Sequence, residues 1–358
     1  MTPLLELEDV TKVFGGRRAG ATVRAVDGVT LRVGRGETLG VAGESGCGKS
    51  TLARLALRLM DATDGVVRFD GQDVTHLSSL GLLPVRRRMQ AVFQDPLASF
   101  NARETVRRIM REPFNVHSLS PSGGIDAKIE ELLTSVGLSA TDLDKRPDEF
   151  SGGQLQRIAI ARALAVEPEL MIGDEPTSAL DPSIQAQIIN VLLSIQRDRN
   201  VAFLIISHDL DVLGHIADRL AIMYLGVVVE TGPGPALMAG PLHPYTQALL
   251  SAAPTPRARR NQQWKRVLLP GDPPSPAHVP AGCRFHPRCP IVQPDCRTTV
   301  PVLRAVGPDG TQVACHYAPE ETQTQGRAIA AARLGHDGDP PPTISPGQHG
   351  VLASGDRI

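Results

Sequence analysis

Aromatic side chains are scarce in this chain: eight Phe, three Tyr and one Trp among 358 residues. Proteins that grip single-stranded nucleic acid stack bases on such rings, so no nucleic-acid partner is expected. Charge of one sign is lacking too. Lys and Arg number 37 against 38 Asp and Glu, a formal balance of −1, which exerts no global pull on a polyanion or an anionic lipid surface. The short basic runs Arg86–Arg88 and Arg257–Arg260 read as solvated faces or linkers. No uninterrupted apolar run reaches the ~20 residues of a membrane helix. The N-terminus lacks the basic start and apolar core of a secretory signal, which points to the cytoplasm. Cysteine is limited to five residues. In that compartment free thiols or a metal site come before disulfides.

What is present is a 41% apolar content, enough for a real core. The length suits one large α/β domain with an appendage, at roughly 100–200 residues per domain. The chain turns on Gly43, Glu44, Ser45, Gly46, Cys47, Gly48, Lys49, Ser50 and Thr51. This stretch matches the phosphate-loop pattern G-x-x-x-x-G-K-[ST]. Its glycines let backbone N–H groups turn inward around a polyphosphate, at the positive end of the helix that follows. Lys49 can reach the β- and γ-phosphates and Ser50 can ligate Mg²⁺. Thr38–Ala42 reads as a buried strand before the loop. Leu52, Leu55, Ala56 and Leu59 give an apolar helix face after it.

Along the chain, Leu4–Phe14 alternates with pauses, as an edge strand would, and Val23–Val33 alternates again. Gly65–Phe69 is a further strand. An apolar strand closes at Val92-Phe93 and ends at Gln94. The span of about 95–150 then turns helical, with Ile125, Ile129, Leu132, Leu133 and Val136 on one face, and reads as a helical insert. The α/β pattern returns with a helix over Leu155–Ala165, a strand over Leu170–Gly173, and a helix over Pro182–Arg199 that turns Ile184, Ile188, Val191, Leu192 and Ile195 inward. The apolar strand Val201–Ile206 follows, which implies a parallel sheet. Leu220–Tyr224 and Val227–Val229 are two more short strands. After Gly232 proline becomes dense, and four of the five cysteines lie between Gly282 and His316. Residues 319–358, rich in Gly, Pro, Asp and His, read as a disordered tail.

Two features narrow the chemistry. Asp174 and Glu175 end the strand Leu170–Gly173, where one carboxylate can hold Mg²⁺ and the other can polarise a water. Phe150-Ser-Gly-Gly-Gln154 opens a helix with Ser151 as N-cap, a second anion-binding element. One nucleotide already has its loop. The second element is most simply explained by a nucleotide shared with a second subunit.

These motifs, in this order, resemble the ATPase subunits of ABC transporters. Phe14 matches the aromatic that stacks on adenine, Gly43–Thr51 the Walker A loop and Gln94 the Q-loop. Ser151–Gln154 matches the signature motif, with Phe150 where many members have Leu. Leu170–Asp174 matches Walker B, Glu175 the catalytic glutamate, Ser178–Asp181 the D-loop and His208 the switch histidine. Gln94–Asn101, Glu149–Gln154, His243–Leu250 and Gly282–Pro290, with Cys296 and Ala314–His316, are similar to the dipeptide and oligopeptide importer branch. Ala102 departs from the Pro usual there, outside the nucleotide site.

The resemblance implies a P-loop NTPase fold: a mixed, largely parallel sheet core, an antiparallel β subdomain, an inserted helical subdomain and a small Cys/Pro-rich C-terminal module. The ATPase domain would span 1–240 and the module 241–318. It implies ATP and Mg²⁺ as cofactors, with Ser50, Gln94 and Asp174 ordering the metal, Glu175 orienting water and His208 touching the γ-phosphate. Ser151, Gly153, Gln154 and Asp181 would serve nucleotide across a head-to-tail pair of ATPase subunits. Two transmembrane permease subunits, and indirectly an extracytoplasmic solute-binding protein, would complete a peptide importer. The chain would sit at the cytoplasmic face of the inner membrane. Nickel and other small-solute importers share this cassette. A soluble ABC ATPase would be expected to carry coiled coils or two cassettes, and a regulatory one to lack Glu175 or His208.

Two thiol questions stay open at this level. Cys47, near a helix start and Lys49, is either an activated thiolate or an inert small residue. Cys283, Cys289, Cys296 and Cys315 are separated by five, six and eighteen residues, too widely for zinc knuckles. Some members of the branch carry a [4Fe–4S] cluster at similar positions. The alternatives are reduced thiols, or zinc with help from His286 or His316. At its sequence distance from residues 43–51, such a cluster is expected to be structural rather than coupled to ATP.

Overall fold

The computed structural model describes residues 2–15, 22–252, 267, 269–306 and 308–318. Strands β1 (Leu5–Phe14) and β2 (Val23–Val33) pair antiparallel. Strand β3 (Thr38–Ala42) leaves for a second sheet and runs through a glycine-rich loop into helix α1 (Lys49–Ala56). The chain then returns to the first sheet as β4 (Asp64–Phe69) and β5 (Gln72–Asp73), giving the order β2-β1-β4-β5. β1 is thus an inner strand, not the edge strand its pauses suggest. The pauses are register shifts between Leu7 and Lys12, around Asp9, whose φ of 48° is left-handed. A bulge breaks alternation without breaking pairing on either side.

Helix α2 (Leu83–Arg88) leads into β6 (Met89–Phe93). Helices α3 (Val106–Val116), α4 (Ile125–Ser135) and α5 (Gly152–Leu164) follow and pack through Ile109, Met110, Ile129, Leu132, Leu133 and Ile158, all buried. Burial of each such side chain is worth about 1.5–3 kcal/mol. α5 begins three residues before the expected Leu155 because Ser151 caps it. The Ser151 hydroxyl accepts the Gln154 N–H at 3.4 Å, and the Gln154 side chain accepts the Ser151 N–H at 3.0 Å. Both orphan donors are satisfied reciprocally, so the two glycines are carried into the helix.

The α/β alternation resumes with β7 (Leu170–Asp174), α6 (Pro182–Arg199), β8 (Ala202–Ile206), α7 (Leu210–Ile216), β9 (Arg219–Tyr224) and β10 (Val227–Pro233). Helices α8 (Gly234–Ala239) and α9 (Pro244–Ala252) precede β11 (Arg304–Ala305) and β12 (Gln312–Val313). The second sheet runs β11-β12-β10-β9-β3-β8-β7-β6. β9, β3, β8, β7 and β6 are parallel, and β10, β12 and β11 extend the sheet antiparallel. β3, β7 and β8 are buried at every residue, as strands covered on both faces must be.

Three expectations shift. Leu59 does not join the α1 face: the helix ends at Ala56, Arg58 takes a φ of 51°, and Leu59 is 55% exposed. In α6, Ile188, Leu192 and Ile195 are buried while Ile184 and Val191 are only half-buried. β10 continues beyond Val229, because Glu230 and Thr231 pair with Val313 and Gln312. The cysteine-bearing segment therefore contributes strands to the main sheet. The 319–358 tail expectation lies outside the described residues.

Candidate functional site

The loop between β3 and α1 depends on two glycines. A Cβ on Gly43 would stand 2.3 Å from the Met223 carbonyl oxygen, and one on Gly48 would stand 2.0 Å from that of Ala25, where φ is 108°. Both obstacles are backbone, so no side chain fits. Lys49 is 5% exposed and its ammonium donates to the carbonyls of Gly43 (2.7 Å) and Glu44 (3.0 Å). It bridges the start of the loop to its end. Ser45, Gly46 and Thr51 complete the loop. Cys47 is buried, and desolvation raises its thiol pKa despite Lys49 beside it. Of the two open readings, burial favours the inert small residue, since desolvation in low dielectric outweighs the lysine.

At the C-terminal ends of the parallel strands the acidic residues meet the loop. The Ser50 hydroxyl donates to Asp174 at 2.9 Å. Burial raises the Asp174 pKa, with the Ser50 hydrogen bond opposing it. A hydroxyl and a carboxylate side by side form a hard-oxygen pair suited to Mg²⁺. Glu175 lies one residue on, with a left-handed φ of 52° and its N–H donating to Ile206 O at 2.9 Å. Such backbone costs about 1–3 kcal/mol and gathers at functional sites. Its carboxylate is 2.8 Å from Nδ1 of His208, whose ring is half exposed. Gln94 follows Phe93, which pairs in register with Asp174, so Gln94 leaves its strand level with Glu175 and is exposed.

Phe14, Ser151, Gln154 and Asp181 lie on the surface. Phe14 is 40% exposed, with the Lys12 ammonium 5.5 Å from its ring centre. Ser151 and Gln154 are exposed and bonded to one another, while Gly153 is buried against Ile184. Asp181 caps α6 from an exposed position without a side-chain bond. Cys283, Cys289, Cys296 and Cys315 line one pocket with His243, Phe285, His286 and His316. Among the described residues, no group of three or more His, Cys, Asp or Glu is arranged to hold a metal ion.

Sequence reasoning did not place Tyr245, Arg288 or Arg284 here. The Tyr245 hydroxyl accepts the Glu44 N–H at 2.8 Å, and Arg288 pairs with the Glu44 carboxylate at 2.8 Å. These contacts cross about two hundred residues or more of chain and leave no local pattern to read. They bring the cysteine segment beside loop 43–51 in space, since Arg288 adjoins Cys289.

A parallel sheet whose inner strand passes through such a loop into a helix, with a serine hydroxyl on the carboxylate that ends the next strand but one, defines a P-loop nucleotide hydrolase. Family models narrow this: "ABC transporter" matches residues 26–178, and "Oligopeptide/dipeptide transporter, C-terminal region" matches residues 229–296. The chain is 50% identical over 319 residues to the oligopeptide transport ATP-binding protein AppF of Bacillus subtilis, covering 87% of this chain and 97% of the relative. It is 49% identical over 283 residues to the oligopeptide transport ATP-binding protein OppF of Salmonella typhimurium, covering 79% and 85%. Among solved structures it resembles the ATP-binding cassette MJ0796 with ADP and phosphate. The TM-score is 0.59 at 27% identity, covering 64% of this chain and 98% of that one. The chain belongs to the ABC transporter ATPase family, in its oligopeptide and dipeptide branch, and is an ATP-hydrolysing enzyme of that type. No helix among the described residues is long and apolar enough to cross a membrane.

Proposed function

We propose that this chain powers peptide import across a bacterial cytoplasmic membrane, bound peripherally at its cytoplasmic face. It would act with a second ATPase subunit, two transmembrane permeases and, indirectly, an extracytoplasmic solute-binding protein. The observation that carries the reading is the joining of loop 43–51 to Asp174 through Ser50, with the Glu175–His208 pair beside it. Phe14 would stack on adenine. Residues 43–51 would cradle the phosphates, Lys49 swinging from its carbonyls to the anion. Ser50, Gln94 and Asp174 would hold Mg²⁺, which supplies charge neutralisation between the phosphates. Glu175 would orient the water, and His208 would fix that carboxylate and sense the γ-phosphate. The exposed Ser151, Gln154 and Asp181, with the buried Gly153 between the first two, would act on nucleotide across the subunit interface. The test is ATP-driven uptake of labelled peptide by the assembled complex. Uptake of nickel in its place would favour the second reading, a small-solute importer.

We further propose that Cys283, Cys289, Cys296 and Cys315 ligate a [4Fe–4S] cluster. The four thiols surround one pocket. Burial first, and then neighbouring thiols, push up the pKa of Cys283, of Cys315, and of Cys289 to about 11. A positive iron core would reverse that mutual penalty. Thiols spread around a pocket suit a multi-iron core better than one zinc ion. The cluster would serve as a staple for a short segment with little core of its own. Anaerobic purification should give about four irons and four sulfides per chain, lost in Cys289→Ser. Stoichiometric zinc without sulfide, or a folded metal-free chain, would refute it.

A further inference from the structure

The segment between Cys283 and Cys289 reaches loop 43–51 by three routes. Arg288 is 7% exposed, and its guanidinium grips the Glu44 carboxylate at two points, 2.8 Å and 3.2 Å. Its Nε has no partner among the described residues, and Tyr224 stands beside the group as a second side-chain neighbour. Arg284 donates to the Leu225 carbonyl and pairs with the Asp27 carboxylate. The turn it clamps matters in its own right: the Gly226 N–H donates to the Cys47 carbonyl inside the loop at 2.9 Å. Phe285, 1% exposed, meets Tyr224 edge-on at 5.3 Å and lies 5.5 Å from Tyr245, whose hydroxyl accepts the Glu44 N–H. The loop is thus held twice at Glu44 and once at Cys47.

An exposed ion pair would count for little. This one is two-pronged, and its arginine is buried, so removing either partner leaves an uncompensated polar group against the loop. Lysine could supply the charge but not the fork. The segment is itself pinned from the cysteine side. The Cys283 N–H donates to the Cys296 carbonyl at 2.8 Å, and the turn His286–Arg288 runs directly into Cys289.

We propose that Arg288 and Arg284 are positioning residues for nucleotide binding. Through Glu44 and the turn at Leu225–Gly226 they hold loop 43–51 in the shape that receives phosphates, so that ATP affinity depends on the four-cysteine segment. This rests on reading loop 43–51 as the ATP site.

The test measures Mg-ATP binding by calorimetry to the full-length chain in a Glu175→Gln background, alongside its melting temperature. Arg288→Ala is expected to weaken binding on the order of tenfold, which is ~1.4 kcal/mol. Arg288→Lys should fall between it and the unaltered chain, and carries the test if the alanine variant does not fold. Glu44→Gln should show a similar loss, with no further loss when combined with Arg288→Ala. Unchanged affinity in both Arg288 variants would overturn the inference. So would strictly additive losses, or losses that follow the fall in melting temperature alone. Lys49→Ala separates the two levels. Its normal binding of ATP would remove the ATP-site reading itself. Its failure to bind, with normal binding by the Arg288 variants, would remove only the positioning role.

Discussion

Glu175 combines a strained backbone with a paired side chain. Its φ of 52° turns the carboxylate off the end of β7, and His208 holds that carboxylate at 2.8 Å. Ser50 and Asp174 bond to each other without using the Glu175 side chain. Glu175→Gln should therefore slow ATP hydrolysis by on the order of a hundredfold or more, with ATP affinity held within severalfold. A nucleotide-bound subunit pair should accumulate, visible as a larger species by size-exclusion chromatography in Mg-ATP. Turnover close to that of the unaltered chain would sink the assignment. These residues were legible because each sits in a short motif whose chemistry is local: loop glycines, a lysine, a strand-end acid pair. Cys47 stayed open between two readings for the same reason. Local sequence shows the adjacent lysine but not the burial that overrides it.

At the scale of elements, the misjudged features were those set by partners distant in sequence. β1 looked like an edge because its bulge is local, while its second neighbour β4 is some fifty residues away. β10 looked short because a bulge after Val228 interrupts its pairing with β9, and β12 pairs part of the extension from far along the chain. The start of α9 is similar. Glu230, fully buried on β10, accepts the N–H groups of Leu242 at 2.7 Å and His243 at 3.0 Å. The Nδ1 of His243 accepts the Tyr245 N–H at 3.1 Å, which requires the neutral ring. Burial pushes the His243 pKa down to about 3. The unfolded chain takes up this proton below its ordinary value of about 6.5, and the folded chain does not. Stability is therefore lost as pH falls from about 6.5 toward about 3, at up to ~1.4 kcal/mol per pH unit from this group. Urea unfolding at about pH 7 and about pH 5 should show a larger acid loss in the unaltered chain than in His243→Gln. Equal losses in the two would show that His243 does not titrate between the states.

For the whole molecule, the sheet order unites what the sequence divides. The parallel strands bring Ser50, Asp174, Glu175 and His208 to one end, and β12 adds the C-terminal segment to the same sheet. Arg288 and Tyr245 then fasten that segment to Glu44. The parallel core was legible, because β3, β7 and β8 are largely apolar and separated by helices. The fastening was not, since it rests on side chains that meet only after the sheet is complete. Ser151, Gln154 and Asp181 are exposed, with Ser151 and Gln154 bonded to one another. The most direct measurement of the proposed function is uptake of labelled peptide into vesicles carrying this chain with the permeases and binding protein proposed for it. Uptake should require ATP on the side of this subunit, and should vanish when Glu175→Gln replaces the unaltered chain while the complex stays assembled. Peptide uptake that persists with Glu175→Gln, or an assembled complex that hydrolyses ATP without moving peptide, would contradict it.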